Sequence, residues 1–149
     1  MEPREVARRM ARECLVARVR AVNRALTRLY DDVLRGHGLR SSQFGILIAV
    51  VGYGPVRPSD LAPVLEMEKS TLSRDVDRMI GRGWLTTEPH EDGRSHWLVA
   101  TAAGKELLGR VSAAWEEAQK RAQRLLGKEG VTALHRLAAP FFQIPADEE

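Results

Sequence analysis

Two short β-prone runs, WLTTE at 84–88 and HWLVA at 96–100, stand in a chain whose other apolar residues keep helical spacing. Polar PHEDGRS joins them, so they pair as one hairpin with Asp92, Gly93 and Arg94 at its tip. What surrounds a lone hairpin then decides the fold. Ahead of it, the apolar residues of PSDLAPVL and EKSTLSRDVDRMIGRGWL describe two helices joined by a short turn. Two helices feeding a hairpin define a winged helix-turn-helix.

The flanking segments are longer than such a unit requires. From Val6 to Leu34 one long helix is expected, with Leu15, Val19, Val22, Leu26, Leu29 and Val33 on one stripe and Ala17, Ala21 and Ala25 broadening it. Gly36 and Gly38 in RGHGL end it through left-handed conformations. Ser41 or Ser42 then caps the apolar helix SQFGILIAVV, and GYGPVRP turns the chain into PSDLAPVL. After the hairpin, Thr101 caps a helix with Leu107, Leu108, Val111, Ala114, Trp115, Ala118, Ala122 and Leu125 at its apolar positions. A last helix runs from Lys128 to Phe142 beyond a break at Gly127–Gly130.

The fold class is therefore mainly α with a small β-hairpin wing, a winged helix-turn-helix embedded in a helical dimerisation domain. Residues 1–149 make one domain. Within it, 41–100 form the winged helix-turn-helix region, while 1–36 and 101–149 supply dimerisation helices. Trp115, Leu125, Leu134, Leu137, Phe141 and Phe142, set against Leu15 to Leu29, ask for a second copy of the chain as partner. The alternative is that both terminal helices cover the same core.

Composition narrows the setting. Hydrophobic residues at 44% and charged residues at 29% are those of an ordinary soluble domain. No apolar run is long enough to span a membrane, and MEPREVARRMAREC lacks a signal-peptide core, so a cytoplasmic protein without membrane partners is expected. The single cysteine, Cys14, excludes an intrachain disulfide. Net charge is +3, but residues 1–40 hold 10 Lys/Arg against 5 Asp/Glu, whereas 41–100 hold 6 against 8. The basic excess thus lies away from the winged region, which weighs against a simple basic-patch argument.

The outer face of 68–85 is more specific. Leu72, Val76, Met79 and Ile80 share the buried face, leaving Ser70, Thr71, Arg74, Asp77 and Arg78 opposite, with Lys69 and Ser73 at the flank. Ser and Thr are mediocre helix formers. In a major groove their short hydroxyls permit close backbone approach, and an Arg one turn on reaches guanine. The competing reading is a solvated face, supported by acidic Glu66, Glu68, Asp75 and Asp77. At the hairpin tip, Arg94 suits the narrow, electronegative minor groove, unless it merely pairs with Asp92.

Taken together, LYDDVLRGHGLRSSQF, SDLAPVLEMEKSTLSRDVDRMIGRGWL, the wing EDGRSHWLVAT and the helix-opening TAAG resemble the multiple-antibiotic-resistance regulator (MarR) family. The resemblance implies a dimeric winged-helix transcription factor, often a repressor that small ligands or oxidants release from DNA. It implies major-groove contacts from Ser70, Thr71, Ser73 and Arg74, phosphate contacts from Lys69 and Arg78, a minor-groove Arg94, and Asp92 as the acidic partner in the wing. Ala100 replaces the usual Leu before the capping Thr, and Pro63 sits where many relatives carry a polar residue, which shortens or tilts that helix.

A switch is less legible. The hydroperoxide-sensing branch of the family pairs a first-helix Cys with two Tyr of the partner. Tyr30 matches one of them, Ser41 stands at the other, and Cys14 falls slightly early, so an inert Cys on an apolar helix is the leading expectation over a redox site. A small-molecule effector would occupy a cleft near Tyr30, His37, Arg40, Phe44 and Trp115. His37, His90, His96 and His135 show no metal-ligand spacing, and neither metal nor cofactor is expected. With no phosphate loop and no nucleophile–base pair, the chain is not read as an enzyme. The rival to a DNA-binding regulator is a winged helix that binds proteins or only dimerises.

Overall fold

The computed structural model describes residues 2–142. The element order is α1 (Pro3–Glu13), α2 (Leu15–Leu34), α3 (Ser41–Tyr53), α4 (Pro58–Val64), α5 (Lys69–Gly81), β1 (Leu85–Pro89), β2 (His96–Ala100) and α6 (Ala102–Ala138). Single 3-10 turns follow α2 at Arg35–His37 and α6 at Ala139–Phe141. The strands are antiparallel, in register from Leu85 opposite Ala100 to Pro89 opposite His96.

A two-stranded hairpin is marginal alone, so this one is fastened at its base. Leu85, Leu98 and Ala100 are buried with Phe44, Ile46, Leu47 and Val50 of α3, Leu61 of α4, and Leu72, Val76 and Met79 of α5. Val56, between α3 and α4, adds a bridge: its N–H donates to Leu98 O at 3.2 Å, and its carbonyl accepts from Leu98 N at 2.8 Å. Leu34, Leu107 and Val111 join this core from α2 and α6.

The start of α6 explains the TAAG motif. Thr101 Oγ1 accepts from Gly104 N at 3.1 Å and Thr101 N donates to Trp84 O at 3.1 Å. A Cβ on Gly104 would sit 2.1 Å from the Trp84 carbonyl oxygen, so the helix can abut the strand only with glycine there. Ala100 is itself buried at this junction.

Four local expectations need correction. The first helix is two helices: Cys14, with ψ 114, is extended and divides α1 from α2. No Gly or Pro marks this break, and Arg18 covers it, its guanidinium donating to the carbonyls of Cys14 and Arg12. Gly38 takes a left-handed conformation (φ 75), but Gly36 lies inside the 3-10 turn. The N-cap of α3 is Arg40, whose N–H donates to Gln43 Oε1 at 3.2 Å, while Asp31 from the end of α2 accepts from Ser41 N at 2.7 Å. Neither serine hydroxyl caps the helix. Ile80 is 36% exposed, at the rim rather than under α5.

The expected break near Gly127 is present, with φ 69 and ψ 167, although the segment beyond ends at Ala138 and passes into the 3-10 turn before Phe142. Helix α4 ends at Val64, directly after Pro63. Among the described residues no helix is long and apolar enough to cross a membrane. α2 packs along α6, yet Leu15, Val16, Val19, Leu125, Leu137, Phe141 and Phe142 remain exposed. The two terminal segments cover each other only in part.

Candidate nucleic-acid interface

α5 turns Leu72, Val76 and Met79 inward, which leaves Lys69, Ser70, Ser73, Arg74, Asp77 and Arg78 exposed and Thr71 half-buried. Lys69 and Ser73 line a groove of about 350 Å³ with Pro58 and Ser59 of α4 and Thr87 of β1. One flank of α5 therefore lies beside the wing's first strand. Lys69, Arg74 and Arg94 enter no ion pair among the described residues.

Asp75 is not part of the exposed acidic set. It is 4% exposed, accepts from Ser42 Oγ at 2.7 Å and Gln43 Nε2 at 3.3 Å, and has Arg78 Nη1 at 3.6 Å. A buried carboxylate is tolerated because these donors replace its water. It locks the middle of α5 to the first turn of α3. Glu66, Glu68 and Asp77 do face solvent. Sequence reasoning missed this lock, though an Asp one residue from Val76 and three from Leu72 lies close to the buried stripe.

In the wing, His90 N donates to Ser95 O and Gly93 N to His90 O, both at 3.0 Å. The Asp92 carboxylate accepts the backbone N–H groups of Arg94 and Ser95 at 2.9 Å each and the Ser95 hydroxyl at 2.7 Å. The Ser95 N–H, its hydroxyl and the Arg94 N–H, in that order, hold the Asp92 carboxyl well below the usual carboxylate range. Asp92 thus binds the backbone of Arg94 and leaves its guanidinium pointing outward, unlike the side-chain pair that the sequence allowed.

The five residues expected around an effector cleft do not converge. Phe44 belongs to the core. Tyr30 donates to Gln119 Oε1, burial pushes its hydroxyl pKa up, and it lines a small cavity of about 200 Å³ with Leu26, Gln119 and His135. Arg40 lines a separate cavity of about 620 Å³ with Asp31, Arg35, Gln43, Arg78 and Arg82. His37 is half-buried in its 3-10 turn, and Trp115 lines neither cavity. Helical spacing reports which way a side chain leaves its own helix, and the packing of α2, α3 and α6 decides what it meets. The charged cavity had a faint signal in arginines bracketing the ends of α2 and α5. Cys14 is exposed at the α1–α2 junction, not seated on an apolar helix. No group of three metal-ligating side chains occurs among the described residues.

Helix α4, a tight turn, α5 and a hairpin stitched back to Val56 define a winged helix-turn-helix with long terminal helices. The model of the MarR family matches residues 37–95. The HTH-type transcriptional regulator YwoH of Bacillus subtilis is 26% identical over 58% of this chain and 64% of its own length. The chain thus spans less than two thirds of the curated relatives it matches. The MarR family transcriptional regulator AbsC of Streptomyces coelicolor superposes with a TM-score of 0.72, at 28% identity over 86% of this chain and 89% of that one. A MarR variant from Escherichia coli complexed with operator DNA superposes with a TM-score of 0.78, at 20% identity over 90% and 98%. The chain is thus similar to MarR family regulators across its winged helix-turn-helix, and to their fold over most of its length.

Proposed function

We propose that the chain is a homodimeric, sequence-specific DNA-binding transcriptional regulator acting as a repressor. The observation that carries this reading is the pair of exposed arginines without an ion pair among the described residues, Arg74 on α5 and Arg94 on a wing whose turn Asp92 fixes through the backbone. α5 enters the major groove with Ser70, Thr71, Ser73 and Arg74, and Lys69 and Arg78 reach phosphates. Arg94 enters the adjacent minor groove. Thr71, being half-buried, contacts from its exposed edge.

Residues 41–100 act as the DNA-binding region, and 1–36 with 101–149 as the dimerisation segments. The bare apolar faces of α2 and α6 support that division, because a second copy would cover both at once. Two copies read a pseudo-palindrome with half-sites about one helical turn apart. A small ligand releases the complex. The arginine-lined cavity shares Arg78 with the DNA-facing helix and is the best-placed receptor for it.

The test is selection of bound duplexes from a random library, then fluorescence anisotropy on the selected duplex and a scrambled one at two salt concentrations. Sequence-dependent, salt-sensitive binding is expected. Arg74→Ala or Arg94→Ala should each weaken it by about 1–3 kcal/mol if the arginine reads bases. Failure to select any duplex, or losses below a few tenths of a kcal/mol at both positions, would overturn the reading and give the surface to a protein partner.

A further inference from the structure

The core holds the hairpin at its base only: Leu85, Leu98 and Ala100 are buried, whereas Thr86 to Pro89 of β1 are exposed. A tip held by two short strands would have to be ordered on binding, at a cost to affinity. One residue of β2 is out of keeping with this. Trp97 neighbours the buried Leu98, so it leaves the opposite face of the strand. It is half-buried, yet among the described residues it is not one of the partly buried side chains packed on the core.

Two residues cover it instead. The His90 ring lies 4.7 Å from the Trp97 ring, centroid to centroid, at 39°. The Arg57 guanidinium carbon lies 5.9 Å from the Trp97 ring centroid, within cation–π range. Arg57 is fixed in turn, as the N-cap residue of α4 with its Nε 3.0 Å from Asp60 Oδ2. On the other side, His90 Nδ1 accepts from Asp92 N at 3.1 Å, and Asp92 binds the backbone of Arg94. The contacts therefore run without a gap from α4 to the wing tip.

We propose that Arg57, Trp97 and His90 form a relay of contacts that ties the wing tip to α4 and so positions Arg94. They are positioning residues; the DNA contact is made by Arg94, and the inference rests on that reading of Arg94. Trp97 then works only through the residue it positions.

A double-mutant cycle on the selected duplex tests this, with wild type, Trp97→Thr, Arg94→Ala and the double variant as full-length dimers. Trp97→Thr should weaken binding by about three- to tenfold and the double variant should be no weaker than Arg94→Ala, a coupling typical of residues acting as one unit. Trp97→Phe, which keeps a ring face for both neighbours, should restore most of the loss. If Trp97→Thr does not fold, His90→Ala carries the same cycle, since it removes the acceptor for Asp92 N and leaves Trp97 in place. Tight binding by Trp97→Thr, or an equal loss with and without Arg94, overturns the relay while Arg94 keeps its role. Wild-type binding by Arg94→Ala removes the contact itself, and the relay falls with it.

Discussion

Leu47 on α3 and Leu15 on α2 are the same residue on neighbouring helices of one chain, yet Leu47 is fully buried and Leu15 is 76% exposed. The difference runs through the whole molecule. The winged region finds its partners within the chain, with Val56, Leu61, Leu72, Met79 and Leu98 converging on α3. The terminal helices keep Val19, Leu125, Leu137 and Phe141 bare. Apolar area removed from water stabilises in proportion, so only the first set contributes to the fold of a single chain. The second set is available for association.

The sharpest way to break this comparison is to delete one leucine from each side. Leu47→Ala should cost about 2–5 kcal/mol in urea unfolding, because the surrounding helices can only partly collapse into the cavity. A cost under 1 kcal/mol there would mean that α3 is not the centre of the core. Next in size is the junction between the two regions. Gly104→Ala should cost about 1–3 kcal/mol, since the added methyl drives α6 off the Trp84 carbonyl. An unchanged melting curve would remove the packing explanation of the TAAG motif.

Asp75→Ala should cost about 1–3 kcal/mol of stability by leaving Ser42 and Gln43 without their acceptor. It should lower DNA affinity as well, and a variant as stable as wild type would show that the lock is idle. On the terminal side, Leu15→Ser with Leu137→Ser should change the fold of one chain by no more than about 0.5 kcal/mol. The pair should shift sedimentation from dimer toward monomer and leave amide exchange in α3 as it was. Faster amide exchange in α3 than in wild type, or an unchanged sedimentation coefficient, would erase the division between the regions.

The smallest effect concerns pH at the wing. The Asp92 pKa is lowered in the fold, so the turn's bonds to Ser95 and Arg94 are complete at neutral pH. They persist as pH falls through the ordinary aspartate range near ~3.9, and are lost only below it. The Ser95 amide shift followed against pH should show a midpoint under that value; a midpoint at or above it would mean that Asp92 does not hold the turn.

How much of this was legible beforehand varies by element. Helix α5, the hairpin and the Thr101 cap follow from local rules: apolar spacing, a polar Asp-Gly turn, and a hydroxyl three residues before a glycine. The exposed Lys69 and Arg74 were legible because a wheel assigns its outer face without knowing the neighbours, and Arg94 because a hairpin tip faces solvent. The break at Cys14 was not, because the apolar spacing continues across it and an arginine four residues on satisfies the freed carbonyls. Nor was the cap of α3, where Arg40 N–H donates to Gln43 and Ser41 N–H to Asp31 of another helix.

The sequence by itself determined the element types, the wing and the face that points to solvent, because period and turn chemistry act within a few residues. Only the tertiary structure decided what meets across elements: Asp75 turned to Ser42 and Gln43, the effector candidates scattered into core and separate cavities, Trp97 clasped between Arg57 and His90. Such contacts join residues 7 to 89 positions apart, and no local pattern encodes a meeting whose energy exists only after the helices have packed.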